Sequence, residues 1–247
     1  PRFSSVILHF KFVITNMPED NINHINFEEL NEKAISAPLV SHIYTADPSA
    51  HVFNGRIYIY PSHDIDSDVA FDDLGSQFAM EDYHILSMDS PSAQVKDNGC
   101  ALHVNNVPWA SKQMWAPDAA EKDGKYYLFF PAKDKDGIFK IGVAMSDSPV
   151  GPFTPQTEAI KGSFSIDPAV YKDSDRSYYM YFGGIWGGQL QRWRNGTFNA
   201  AQPESPTAQL PEANEPALCA KVAKLTDDLL EFAEAPKDVI ILDENGK

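Results

Sequence analysis

Ala46-Asp47-Pro48-Ser49-Ala50, followed by Asn54-Gly55 and Arg56-Ile57-Tyr58-Ile59-Tyr60, is the first of three copies of one pattern. The second runs Ala116-Pro117-Asp118-Ala119-Ala120, then Asp123-Gly124 and Lys125-Tyr126-Tyr127-Leu128-Phe129-Phe130. The third runs Ile166-Asp167-Pro168-Ala169-Val170, then Asp173-Ser174-Asp175 and Ser177-Tyr178-Tyr179-Met180-Tyr181-Phe182. Each copy sets an Asp beside a Pro, then a short strand, a tight turn and an aromatic strand. Asn-Gly and Asp-Gly between apolar runs tolerate positive φ at both turn positions, so the unit reads as a β-hairpin with a carboxylate at its entrance. Asn54 and Asp123 lie 69 positions apart, and Asp123 and Asp173 lie 50 apart. A unit of about 60 residues matches a four-stranded propeller blade with long loops. The expected fold is all-β, a propeller.

Working outward, further strands are predicted at 83–88, 140–145, 189–193 and 222–225. The Ser/Pro/Gly-rich turn at 147–153 is expected to join one blade to the next. The stretch 197–215, rich in Pro, Ala, Gln and Glu, reads as an exposed loop, and 225–232 as the outer hairpin of the third unit. Residues 1–37 form an N-terminal extension in this reading, and 38–247 a partial propeller with blades at roughly 38–110, 111–160 and 161–235.

Composition narrows the function. Among 247 residues, 35 acidic against 20 basic side chains give a net charge of −15, which repels phosphate backbones and anionic membranes. Nucleic acid and membrane partners are excluded on this reading. Neutral sugars are indifferent to that charge, and 12% aromatic content suits stacking on apolar ring faces, although most aromatics are needed for the core. Cys100 and Cys219 have no companion at metal-ligand spacing and read as free thiols. The apolar run 6–10 is interrupted by Lys11 and makes a poor export signal; Met17 is a candidate start, and a cytoplasmic location is expected. Without an export signal the sequon Asn195-Gly196-Thr197 carries no weight.

In a propeller the inner strands line a central channel, so an Asp at the same point of three units converges with its fellows at one mouth. A single Asp-Pro is more simply a turn, because Asp accepts local backbone hydrogen bonds and Pro fixes φ. The threefold recurrence makes the group a candidate site. Convergent carboxylates serve glycoside hydrolysis, where one activates water and another, held protonated, releases the leaving group.

Thr45-Ala46-Asp47-Pro48, Trp115-Ala116-Pro117-Asp118 and Ser165-Ile166-Asp167-Pro168 resemble, in order and spacing, the first three blade motifs of glycoside hydrolase family 43, the xylosidase and arabinofuranosidase family. The resemblance covers about 38–232 and implies a five-bladed propeller with about three blades in this chain. It implies that Asp47 is the general base of an inverting displacement and that Asp167 orients the general acid and raises its pKa. Asp118 is implied to belong to the pocket architecture. The family's acid is a glutamate on the fourth blade, and no glutamate of this sequence has that context: not Glu81, Glu204, Glu212, Glu215, Glu231, Glu234 or Glu244. By this resemblance Asp167 is expected to be too fully ionised to replace it.

The expected substrate is a xylose- or arabinose-bearing cell-wall oligosaccharide. Trp115, Trp186 and His63 are candidate sugar contacts beside the motifs, with core packing the alternative for either indole and a supporting role the alternative for His63. The run Gly183-Gly184-Ile185-Trp186-Gly187-Gly188 lacks nucleotide-loop signatures and reads as a tight turn exposing Trp186. No cofactor is implied, and calcium in the channel is left open. Two other readings stand: an incomplete sugar-binding fragment that associates with another chain or with further blades, and the fructan and sucrose hydrolases, whose third motif has Arg where Ile166 stands.

Overall fold

Both Asx-Gly turns adopt the backbone their residues favour. Asn54 and Gly55 have φ of 51° and 78°, and Asp123 and Gly124 have 53° and 77°. Left-handed conformations at both positions give the tight turn whose twist matches that of paired strands. The computed structural model describes residues 32–33, 38–200, 210–242 and 244; the run 6–10, Met17 and Glu204 lie outside them. The chain divides into units Pro1–Ser41 and His42–Lys247, and everything below concerns the second.

Among the described residues, three antiparallel sheets follow one another along the chain. The first contains β1 (Tyr44–Phe53), β2 (Arg56–Asp64), β3 (Asp82–Met88) and β4 (Lys96–His103), paired in that order. The second contains β5 (Ala110–Lys112), β6 (Asp118–Lys122), β7 (Lys125–Asp134), β8 (Phe139–Ser146) and β9 (Thr154–Pro155). Its long β7 pairs with β6 along its first half and with β5 at its far end, where Ala110 meets Asp134. The third contains β10 (Ala169–Lys172), β11 (Tyr178–Phe182), β12 (Lys221–Lys224) and β13 (Lys237–Asp238). The repeated carboxylates therefore belong to β1, to β6 and to the entrance of β10, the first strand of each meander. β6 neighbours β1 on one side and β10 on the other.

Two aromatic cores hold the sheets face to face. Tyr60, Tyr83 and Ile85 of the first sheet pack with Tyr126, Leu128 and Phe130 of the second. The alternate residues Tyr127 and Phe129 of β7, with Ile141 and Val143 of β8, pack with Tyr178, Met180 and Phe182 of the third. The period of two along β7 thus serves both neighbours, and nine of its ten residues are buried.

The structure corrects two expectations. Residues 189–193 are not a strand: Leu190–Trp193 forms a 3₁₀ turn after Gln189, whose φ of 65° turns the chain away from the sheet. The turn at 147–153 does not pass between sheets; it joins β8 to β9, because Thr154 and Pro155 pair back onto Met145 and Ala144. The bridge Leu225–Phe232 is present, and the last strand of the third sheet lies just past 235.

Candidate active site

Asp47 leaves its strand because Pro48 cannot donate to the β1–β2 ladder. The register slips between Ala46 and Ser49, and this bulge turns Asp47 out of the pairing pattern with φ of 45°. The Ser62 hydroxyl pins the bulge by donating to the Ala46 carbonyl at 3.0 Å. Asp167 also has positive φ, 60°, as does Ser165 at 63°. Non-glycine residues in this region cost on the order of 1–3 kcal/mol each and persist where surrounding structure fixes them. For Asp167 that structure is the glycine run. Ser165 donates to the Gly188 carbonyl at 2.7 Å and accepts from the Gly184 amide at 2.9 Å, while Gly183 N–H donates to the Ile166 carbonyl at 2.8 Å. A Cβ on Gly184 or Gly188 would stand 2.7 or 2.6 Å from the Ile166 side chain. The glycines let the loop 183–188 close over the motif.

Asp47 and Asp167 form an interacting pair. Asp167 is exposed on one side but crowded by protein on the other; loss of hydration, and then the charge of Asp47, push its carboxyl up to about 6. Burial and a like charge both favour the protonated form, yet with a pKa of about 6 the group stays mostly ionised at neutral pH.

Asp118 has another fate. It is 6% exposed; its Oδ1 lies 2.6 Å from His51 Nε2, and its Oδ2 accepts the Val170 N–H at 2.6 Å. It therefore ties β1, β6 and β10 together, with both oxygens engaged. Nothing among the residues signals this tie beyond the nearness of His51 to the first motif.

The aromatic candidates separate likewise. Trp115 is a packing residue: its indole N–H donates to the Phe78 carbonyl at 2.8 Å and its ring centroid lies 4.7 Å from that of Phe139. Trp186 is 54% exposed at the head of a 3₁₀ turn (Trp186–Gly188). His63 faces Asp82 at 2.6 Å, on the side of the first sheet opposite the Tyr83–Ile85 core. Among the described glutamates, Glu215 pairs with Arg194 and Glu234 with Lys237. Glu231 accepts the Lys161 N–H, and Glu81 lies 3.8 Å from His103. Desolvation and Asp47 alone account for the raised Asp167 pKa. A cleft of about 640 Å³ bordered by Lys140, Lys161, Trp193 and Lys221 holds none of the three aspartates.

Asp47 and Asp167 thus stand, each on a positive-φ backbone, at the entrances of the first and third β-meanders. Residues 93–237 match glycosyl hydrolases family 43, and the chain belongs to that family. The xylosidase/arabinosidase 43A of Humicola insolens is 58% identical over 212 residues, which are 83% of this chain and 64% of that protein. A xylosidase/arabinosidase of Bacteroides ovatus is 53% identical over 85% of this chain and 63% of its own length. Among solved structures, a β-xylosidase/α-arabinofuranosidase from a compost metagenome, calcium-free and with xylotriose, superposes with a TM-score of 0.79 at 58% identity, over 85% of this chain and 63% of that one. The Xanthomonas citri GH43_1 enzyme with xylotriose gives 0.78 at 52% identity, over 89% and 62%. These neighbours are β-propellers. The chain spans somewhat under two thirds of the length of each of these relatives, and its family membership decides against the fructan and sucrose hydrolases.

Proposed function

We propose that this chain forms the first three blades of a five-bladed propeller that removes terminal xylose or arabinose from xylan and arabinoxylan oligosaccharides with inversion. The observation that carries the reading is the Asp47–Asp167 pair. The two carboxylates approach closely enough to interact, each is held in a strained backbone by its own bulge or loop, and loss of hydration together with the charge of Asp47 raises the proton affinity of Asp167.

In this mechanism Asp47, ionised, accepts a proton from the water that attacks the anomeric carbon. Asp167 does not touch the reacting atoms. Its charge orients the acid and raises that acid's pKa. As the family resemblance implies, the acid is a glutamate from beyond these blades; Glu81, Glu215, Glu231 and Glu234 have partners away from the Asp47–Asp167 pair. An inverting site holds acid and base about 6.5–9.5 Å apart to admit the water, and a carboxylate on a following blade would span that gap. Trp186, exposed beside the Asp167 loop, offers a platform for an apolar sugar face. A channel calcium is given no step: it needs about six to eight oxygens, and with Asp118 fully engaged the motif carboxylates leave only Asp47 and Asp167. The test is turnover of aryl xyloside and aryl arabinoside by the full-length protein carrying Asp47→Ala. Loss of turnover in a folded protein supports the assignment, and unchanged turnover removes Asp47 from the mechanism.

A second reading, a sugar-binding propeller fragment, is favoured by those same engaged glutamates. It predicts xylo-oligosaccharide binding by these residues without hydrolysis.

A further inference from the structure

Side chains alternate across a strand, so while Tyr83 and Ile85 enter the core with the second sheet, Asp82 and His84 of β3 point to the opposite face. His63, near the end of β2, joins them there. His63 Nδ1 lies 2.6 Å from Asp82 Oδ1, His84 Nε2 lies 3.6 Å from Asp82 Oδ2, and the two imidazole centroids are 4.7 Å apart. One nitrogen or oxygen from each residue falls within 4.8 Å of the others, the one place among the described residues where three such atoms converge. All three side chains are between 14% and 18% exposed, so the group is sheltered yet open on one side.

A further carboxylate orients this group. His84 Nδ1 is 3.1 Å from both oxygens of Asp97. Asp97 is itself held by the Gly99 N–H at 2.8 Å and by His42 Nε2 at 2.7 Å. With its Nδ1 proton given to Asp97, His84 carries its lone pair on Nε2, the atom that faces Asp82. A lone pair and a carboxylate oxygen facing each other at 3.6 Å invite a cation between them. A carboxylate that fixes the tautomer of a ligating histidine is the usual outer shell of a metal site.

We propose that His63, Asp82 and His84 bind a divalent first-row transition ion, Zn²⁺ by preference. Two imidazoles and one carboxylate suit zinc with water in the fourth position, whereas calcium takes oxygen ligands. Binding replaces the His63–Asp82 hydrogen bond: the Nδ1–metal bond forms as His63 passes to its Nε2–H tautomer, which leaves the Nδ1 lone pair free and the imidazole neutral. His63 pairs with Thr45 across β1–β2, two residues before Asp47. The ion therefore clamps β2 to β3 at the end of the sheet that presents Asp47, and its role is to position that end. Cys100, opposite His84 on β4, lies beside the site without being needed as a ligand.

The test uses the full chain, stripped with chelator and titrated with Zn²⁺ alone by calorimetry and with Co²⁺ by visible absorption. The expected result is one ion per chain, an intense tetrahedral cobalt spectrum and a Tm that rises with zinc. His63→Gln and His84→Gln should each weaken binding at least about tenfold, and Asp97→Asn roughly 10- to 100-fold, while Asp47→Asn and Asp167→Asn bind as the wild type does. Equal affinity in the His63→Gln/His84→Gln double variant, or no zinc binding by the wild type, overturns the proposal. Should the variants not fold, the wild-type cobalt spectrum decides: a weak, hexa-aquo-like spectrum also overturns it.

Discussion

The middle sheet and its two flanking sheets carry the same hairpin, yet their first strands meet different surroundings. β6 begins Asp118-Ala119-Ala120, all buried, while β1 and β10 are largely exposed. The middle sheet has a neighbour on both faces, and each flanking sheet has one. Equivalent aspartates accordingly serve different ends. Asp118 is absorbed into the tie with His51 and Val170, whereas under the proposed function Asp47 and Asp167, on the flanks, carry the chemistry. Burial gathers in the middle sheet, and on that reading reactivity lies at its borders. Tyr44, Val52, Tyr171 and Tyr181, at 66%, 67%, 57% and 40% exposure, are large side chains on flanking strands that, under the proposed function, further blades would cover.

The division predicts where substitutions act. The largest effect is expected at the flank: Asp47→Ala should lower kcat of the full-length protein by about 10² to 10⁴ with its melting curve unchanged. A matching loss of stability would place Asp47 with Asp118 and break the contrast. Next, Phe130→Ala, which empties the space between Tyr83 and the Trp109 ring stacked 5.9 Å away, should cost about 3–5 kcal/mol. Val52→Ala on the exposed flank should stay within about 0.5 kcal/mol, and chemical denaturation compares the two directly.

Asp118→Ala leaves the Val170 N–H without its partner and should cost about 1–3 kcal/mol. Asp118→Asn should recover part of that loss, because its amide oxygen still accepts the bond. The smallest effect concerns Asp167 and depends on pH. Its folded pKa, about 6, lies above the ordinary 3.8, so the native state binds more protons than the unfolded state between those values. The ionised group therefore disfavours folding fully above about pH 6, and this penalty fades as pH falls toward 3.8. Asp167→Asn should raise Tm near neutral pH and leave it unchanged near pH 4; an equal shift at both would refute the charge argument.

Much of this was legible in the residues. Asn54-Gly55 and Asp123-Gly124 announce their hairpins because the turn chemistry is local, and the Asp-Pro pairs mark the hairpin entrances for the same reason; the bulge and the positive φ found there were not read from them. Contacts that depend on distant chain were not legible. Nothing in Trp115-Ala116-Pro117-Asp118 says that the indole will bond to Phe78 or that both carboxylate oxygens will be taken by His51 and Val170, 67 and 52 positions away. The glycine run resembled a tight turn, but its need for glycine comes from Ile166 beneath it. The alternation Asp82-Tyr83-His84 does place two ligand types on one face; their meeting with His63 needed the β2–β3 pairing.

The central claim is that these sheets contribute the base and the orienting aspartate while the acid comes from elsewhere. Residues 1–247 and a protein extended through two further blades, at equal folded concentration, would be assayed on the same aryl xyloside and arabinoside. Turnover by the longer protein with little or none by the shorter is the predicted result. Equal turnover would place the acid within these 247 residues and contradict the account.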